Sequence, residues 1–117
     1  MRTWKWRLVA LVLVGGLTQT GAGRVAAQVD VPGLIDQAAG YYRMPEWARL
    51  RAHAVAWCES KYDAGAYNRR SGATGVFQFI PSTARGQGIN PWDAEQNVYA
   101  AMRLMAAGQW QHWRACL

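Results

Sequence analysis

The sequence predicts a small, mainly α-helical domain whose middle segment is irregular or contains a short β-hairpin. Two observations predict this class. Apolar residues recur at helical spacing in three stretches, and residues 60–75 are rich in Gly, Asn, Asp and Ser without a sustained period. A length of 117 residues allows one domain. A composition with 51% hydrophobic and 17% charged residues excludes a chain that is disordered throughout.

The N-terminal residues 1–27 have the pattern of a secretory signal peptide. The basic stretch Met1–Arg7 precedes an apolar run of about ten residues, 8–17, and Val25 and Ala27 place small residues before a cleavage site. The alternative is an uncleaved membrane anchor, but a spanning helix needs about 20 apolar residues. We therefore expect a mature domain of residues 28–117 that is secreted, periplasmic or held in the cell envelope, without stable membrane insertion after cleavage.

The charge of the mature domain removes the argument for one class of partner, nucleic acid. The formal net charge of +6 belongs to the whole chain, and residues 1–27 contain four of the thirteen basic residues and none of the seven acidic ones. The remaining +2 gives no argument for nucleic acid. It is compatible with mild attraction to an anionic surface such as a cell wall.

Two cysteines in an exported chain predict one disulfide, between Cys58 and Cys116. Closing a loop of nearly 60 residues stabilises the folded state by about 4 kcal/mol in the chain-entropy treatment. The alternative is a pair of buried free thiols.

The first predicted helix covers residues 31–42, with Pro32 near its start. It ends at the sequence Arg43-Met44-Pro45, and Pro45 is well placed to open the next helix. This second helix extends to about Glu59. We expect its buried face to be the apolar stripe at helical spacing, made of Trp47, Leu50, Ala54, Trp57 and Cys58.

After the polar loop, residues 76–80 form a short apolar run and residues 81–84 begin a short helix. Gly86, Gly88 and Pro91 mark a second loop. Asp93 is an N-cap with Gln96 three residues on, the pattern of a capping box, and the helix that follows reaches Gly108. Trp110 and Trp113 lie on a short C-terminal tail.

Few residues are left to carry chemistry. His53 and His112 have no companion at metal-ligand spacing, so we expect no metal site. The sequence contains no phosphate-binding loop, so we expect no cofactor. Glu59 ends an apolar helix and precedes a polar loop, where the core would partly desolvate it. Desolvation raises the pKa of a carboxyl group, which suits a general acid. The alternative is a solvated glutamate at a helix end.

Three ordered blocks accompany Glu59. They are residues 56–63 (AWCESKYD), 71–84 (SGATGVFQFIPSTA) and 96–104 (QNVYAAMRL). Together they resemble the soluble lytic transglycosylase domain of the lysozyme-like superfamily. The Cys before Glu59 and the terminal residues 108–116 (GQWQHWRAC) resemble the resuscitation-promoting factors. The resemblance covers residues 44–117.

The resemblance implies an α+β lysozyme-like fold and an enzyme that needs no cofactor. The implied reaction cleaves the β-1,4 bond between N-acetylmuramic acid and N-acetylglucosamine in peptidoglycan, with Glu59 as the general acid and base. Peptidoglycan glycan strands are the implied partner, with envelope proteins as further partners. The alternative is a non-catalytic wall-binding or assembly module that keeps a lysozyme-like cleft.

The same resemblance points to substrate-binding residues around the acid. Gln78 matches a glutamine that lines the sugar cleft, although such an amide also caps loop backbone. Phe77 stands where methionine is common. Aromatic side chains suit stacking on sugar rings, but core packing explains such residues equally well. With the aromatic residues and with Gly75, which allows close backbone approach, the predicted substrate-binding set is Ser60, Tyr62, Gly75, Phe77 and Gln78.

Overall fold

The computed structural model describes residues 29–117, and the predicted signal peptide lies outside them. The described chain contains four α-helices and a terminal 3₁₀-helix, which confirms the mainly helical class. None of the described helices is long and apolar enough to cross a membrane. The elements are α1 (Val31–Tyr41), α2 (Glu46–Ser60), α3 (Pro81–Gln87), α4 (Ala94–Ala106) and the 3₁₀-helix (Trp110–Cys116).

Helix α1 starts and ends where local chemistry requires it. The Asp30 side chain accepts a hydrogen bond from the Gly33 amide at 3.1 Å, and Pro32 occupies the first turn. The helix ends before Arg43, whose φ of 54° is left-handed, so the chain turns sharply into α2. The buried side of α1 consists of Val31, Ile35, Ala38 and Ala39.

Helix α2 buries a different face from the one that the sequence predicts. The predicted stripe lies in solvent, with Trp47 60%, Leu50 53% and Trp57 52% exposed. The helix has two apolar faces, and the one made of small side chains lets its backbone approach α1 and α4 closely. The large side chains on the other face are left outside. The buried residues are Ala48, Ala52, Val55 and Ala56.

The segment between α2 and α3 is irregular, as predicted. Lys61 and Tyr62 both have left-handed φ values, 53° and 64°, and stop α2 abruptly. Two isolated antiparallel bridges follow, one from Thr74 to Tyr67 and one from Thr74 to Phe79. They fold the chain back on itself within residues 67–79 without forming a regular hairpin.

Helix α4 begins at the predicted cap. The Asp93 side chain accepts from the Gln96 amide at 3.0 Å. The predicted return bond of a capping box is wrong, because the Gln96 side chain accepts instead from the Asn90 amide at 2.8 Å. The helix therefore fixes the loop before it. Its buried side is the centre of the core and consists of Asn97, Val98, Ala100, Ala101, Met102, Leu104 and Met105.

The C-terminal tail is a structural element rather than a loose end. The Cys58–Cys116 disulfide is present, so the predicted pairing is confirmed. It attaches the 3₁₀-helix to the C-terminal end of α2. Trp113 is buried among Phe77 and Phe79, with ring centroids 5.9 Å from each. The tail thus closes one side of the core beneath the 76–80 segment.

Glycine is required at position 75, and this requirement gives a stability test. Its φ is +82°, and a Cβ there would overlap the Asn97 side-chain amide and the Pro91 carbonyl. We expect Gly75→Ala to lower the free energy of unfolding by about 2–4 kcal/mol, through backbone strain and this overlap. Urea denaturation of the oxidised protein measures the change.

The matched control is Gly40→Ala, in α1, where a Cβ would meet no atom within 4 Å. This substitution should instead raise the free energy of unfolding by about 0.5–1 kcal/mol, since alanine favours helix more than glycine does. A Gly75→Ala protein as stable as the parent would contradict the described packing around residue 75.

Candidate active site

Glu59 lies at the C-terminal end of the buried face of α2. It follows Val55 by four residues and Ala56 by three, so helical geometry places it on the side that packs into the core. The side chain is half-buried, and burial raises the pKa of its carboxyl group. No charged neighbour among residues 29–117 contributes to this shift. The fold itself therefore disfavours the ionised form of this carboxyl group.

Ser60 joins the end of α2 to the irregular segment. Its hydroxyl lies 2.8 Å from the Val76 carbonyl and 3.3 Å from the Ala56 carbonyl, and it donates to these backbone oxygens. This bond brings residues 76–78 beside the helix end that carries Glu59. Ser60 thus positions backbone, and only the lone pairs of its oxygen remain to accept a bond from a ligand.

Gln78 is held in a strained turn by its own side chain. Its φ is 52°, and its Nε2 donates to the carbonyls of Ala66 at 3.2 Å and Gly75 at 2.9 Å. Both amide protons are used in these bonds, and Oε1 makes no hydrogen bond to any of residues 29–117. Gln78 also borders a cavity of about 100 Å³, together with Thr83, His112 and Trp113.

Phe77 and Gly75 lie beneath the surface. The Phe77 ring is fully buried, so the expectation that it stacks on a sugar is corrected: it is a core residue. Its backbone is bonded on both sides, because its amide donates to Asn97 Oδ1 at 3.0 Å and its carbonyl accepts from Trp113 Nε1 at 2.8 Å. Gly75 is also buried, and its close backbone approach is to Pro91 and Asn97.

Tyr62 points away from Glu59. Its hydroxyl lies 3.1 Å from His53 Nδ1, and its ring packs at 5.5 Å on Trp57. His53 and Trp57 precede Glu59 by six and two residues, so at about 100° per residue both leave α2 more than 100° from it. Tyr62 therefore covers the flank of α2 rather than the surface beside the acid.

No sequence motif predicted the polar chain that holds Tyr62. His53 Nε2 donates to Asp36 at 2.7 Å, and the same carboxylate accepts from Arg49 at 2.6 Å. The His53 hydrogen bond is the main reason why the pKa of Asp36 is lowered. These residues join α1 to α2, and their separation along the chain hides them from any short motif.

Two exposed aromatic residues, one in the irregular segment and one just before α4, pack against each other. The rings of Tyr67 and Trp92 stack at 5.5 Å with an angle of 26° between their planes. They border a groove of about 330 Å³ that also contacts Pro81 and Ile89. Within residues 29–117, no cluster of three or more His, Cys, Asp or Glu side chains is placed to hold a metal ion.

The fold and site define a small, disulfide-closed helical domain in which one desolvated glutamate ends a buried helix face. Residues 35–114 match the family model described as Transglycosylase SLT domain. The chain therefore belongs to the SLT transglycosylase family, whose members are lytic transglycosylases acting on peptidoglycan. Searches of curated proteins and of solved structures returned no match.

The raised pKa of Glu59 predicts how a neutral side chain alters stability. Above the pKa of the unfolded chain, the folded protein has to hold an ionised carboxylate in a desolvated place, which lowers the free energy of unfolding. We expect Glu59→Gln to be more stable than the parent at pH 7. The gain in stability should vanish below about pH 4, where the parent's Glu59 is protonated and therefore as neutral as the glutamine of the variant.

Urea denaturation at pH 7 and at pH 3.5 measures this difference. The control is Glu95→Gln, because Glu95 is an exposed residue in the first turn of α4, where a negative charge is favourable. It should show no gain at pH 7. A Glu59→Gln protein that is less stable than the parent at pH 7 would show that the carboxylate is not desolvated.

Proposed function

We propose that this protein is an exported enzyme that cleaves the β-1,4 bond between N-acetylmuramic acid and N-acetylglucosamine in peptidoglycan, with Glu59 as its general acid and base. The observation that carries the proposal is the position of Glu59, half-buried at the C-terminal end of the buried face of α2 in a chain of the SLT family. A carboxyl group that stays protonated to higher pH than usual is suited to protonate a glycosidic oxygen.

The reaction has two proton transfers at one carboxyl group. Glu59 first gives its proton to the bridging oxygen as the glycosidic bond breaks, and the released sugar leaves as an alcohol. The resulting carboxylate then takes a proton from the attacking group. Attack by the muramic 6-hydroxyl gives a 1,6-anhydro sugar, and attack by water gives an ordinary reducing end.

A second catalytic carboxylate is not part of the proposal. Two-carboxylate glycosidases place the second group about 5–9 Å from the first. Asp63 is the nearest acid along the chain, but it is exposed and its Oδ1 accepts from the Gly65 amide at 2.8 Å, so it shapes the loop. The N-acetyl group of the substrate is the remaining source of assistance to the breaking bond.

Gln78 is the proposed contact for the substrate beside the acid. Its Oε1 is free to accept from a sugar hydroxyl or an acetamido N–H, while its amide protons keep the turn rigid. Ser60 and Gly75 support this turn from beneath. Tyr62 lies on the flank of α2, where its hydroxyl is hydrogen-bonded to His53, which is in turn bonded to Asp36.

The proposed location is outside the cytoplasm, in the periplasm, the envelope or the medium. A disulfide that closes most of the domain is typical of an oxidising compartment. The glycan strand is the proposed partner, and envelope proteins are further partners that this location would allow. The similarity to resuscitation-promoting factors belongs to the same proposal.

The test incubates the oxidised protein and its Glu59→Gln variant with purified peptidoglycan and identifies the released muropeptides by mass. We expect release by the parent and a loss of at least about 100-fold in the variant, because proton transfer in the transition state is removed. Glu95→Gln, an exposed helix glutamate, should keep full activity.

Each remaining outcome has a definite meaning. Equal release by the parent and by Glu59→Gln would overturn the assignment of the acid. No release by a folded parent protein would overturn the enzymatic proposal and favour the non-catalytic wall-binding module. Anhydro or reducing ends would distinguish transglycosylase from hydrolase chemistry.

A further inference from the structure

The face of α2 opposite Glu59 is an exposed aromatic surface. Trp47, Leu50 and Trp57 lie on it, and each is more than half exposed. Trp110 of the 3₁₀-helix joins them, since its ring lies 6.1 Å from that of Trp47 at an angle of 32°. We call these four residues the tryptophan face. Large apolar side chains exposed together on one helix face mark a candidate binding surface.

Cations border the tryptophan face. The Arg51 guanidinium lies 5.1 Å from the centre of the Trp110 ring, and the Lys61 ammonium lies 5.3 Å from that of Trp57. Neither cation forms an ion pair with any residue in 29–117. The surface therefore combines flat apolar rings with uncompensated positive charge.

The acids of α2 do not neutralise this surface. Glu46 is bonded to Arg49 at 2.8 Å, and Glu59 lies on the opposite side of the helix. Within residues 29–117, neither acid of α2 is therefore paired with Arg51 or Lys61. A ligand that fits it carries negative charge beside flat apolar surfaces.

The surface is rigid before any ligand arrives. Trp47 and Trp57 are carried by one helix, and the Cys58–Cys116 disulfide fixes the 3₁₀-helix, and with it Trp110, against that helix. Binding to such a surface does not require a segment to become ordered, so little conformational entropy is lost. Trp47 and Trp57 are ten residues apart, which separates them by about 15 Å along the helix axis.

We propose that the tryptophan face is a second, non-catalytic binding site for a peptidoglycan glycan strand. The C–H faces of pyranose rings pack on the indoles, and the carboxylates of the stem peptides pair with Arg51 and Lys61. A strand is long enough to span the 15 Å between the two tryptophans. The choice of peptidoglycan as ligand rests on the proposed function, but the binding itself requires no cleavage.

Such a site would hold the protein on its polymer from the side opposite to the acid. Linked contacts with one extended polymer raise the effective concentration of the second site at its target. Binding at the tryptophan face therefore increases the action on insoluble walls without altering the chemistry at Glu59. Short soluble fragments, which cannot reach both sides, gain nothing from it.

The test measures co-sedimentation of the oxidised protein with insoluble peptidoglycan, in the Glu59→Gln background so that nothing is cleaved. We expect the pair Trp47→Ala and Trp57→Ala to raise the Kd at least about tenfold, since both indole contacts are lost. Tyr41→Ala, which removes an exposed ring on α1, is the control and should leave the Kd unchanged.

A second variant avoids dependence on the tryptophans. Arg51→Glu together with Lys61→Glu keeps the indoles and reverses the charge, so it should weaken binding by at least about tenfold, and added salt should no longer weaken it further. Circular dichroism confirms that each variant is folded. With Glu59 intact, the tryptophan pair should leave the cleavage of short soluble glycans unchanged, so a failure of the enzymatic proposal is distinguishable.

Three results would overturn the proposal. The first is unchanged wall binding by both surface variants, which would leave the face to some other partner. The second is a parent protein that sediments as a dimer and becomes a monomer on loss of the tryptophans with wall binding intact, which would make the face a contact between copies. The third is loss of soluble-glycan cleavage by the tryptophan pair, which would place the face in the catalytic site.

Discussion

The buried side-chain amide of Asn97 is the interaction on which the rest of this structure depends. It is 0% exposed and makes three hydrogen bonds to backbone. Its Oδ1 accepts from the Phe77 amide at 3.0 Å, and its Nδ2 donates to the carbonyls of Thr74 at 3.0 Å and Pro91 at 2.9 Å. One side chain of α4 thereby replaces the ladder that the irregular segment lacks, because the described segment contains only isolated β-bridges.

The candidate site is assembled on this support. The backbone that Asn97 holds continues to the Val76 carbonyl, which accepts from Ser60, and to the Phe77 carbonyl, which accepts from Trp113. Side chains from three elements, α2, α4 and the 3₁₀-helix, therefore form hydrogen bonds to the backbone of residues 74–77. The disulfide joins the first and the last of them. Gln78 follows directly, and its left-handed backbone conformation is tolerated because these hydrogen bonds fix the residues before it.

Much of the fold could be predicted from the sequence, because the relevant signals are local. The caps at Asp30 and Asp93, the glycine-rich interruption and the pairing of two cysteines all act over short distances or by elimination. The desolvation of Glu59 agrees with the expectation, but not for the expected reason. Glu59 lies on the small-residue face of α2, opposite Trp57, and that unpredicted face is the one that packs into the core.

The face of α2 was not predictable from hydrophobicity. Trp47 and Leu50 are more hydrophobic than Ala48 and Ala52, yet the smaller residues are buried because they allow closer contact between helices. Long-range polar contacts were equally hidden. The bond from His53 to Asp36 joins residues 17 apart in different helices. The fates of Phe77 and Gln78, one in the core and one at the surface, depend on the φ of 52° at Gln78, which no residue type announces.

Folding itself makes Glu59 a weaker acid than an ordinary glutamate. The most direct test is a ¹³C NMR titration of the glutamate side-chain carboxyls, with the Glu59 signal assigned by its loss in Glu59→Gln. We expect the pKa of Glu59 to lie above the ordinary value of 4.5, because burial disfavours its charge. We expect the pKa of Glu46 to lie below that value, because Arg49 bonds to its carboxylate. A pKa of Glu59 at or below 4.5 in the folded protein would show that folding does not weaken this acid.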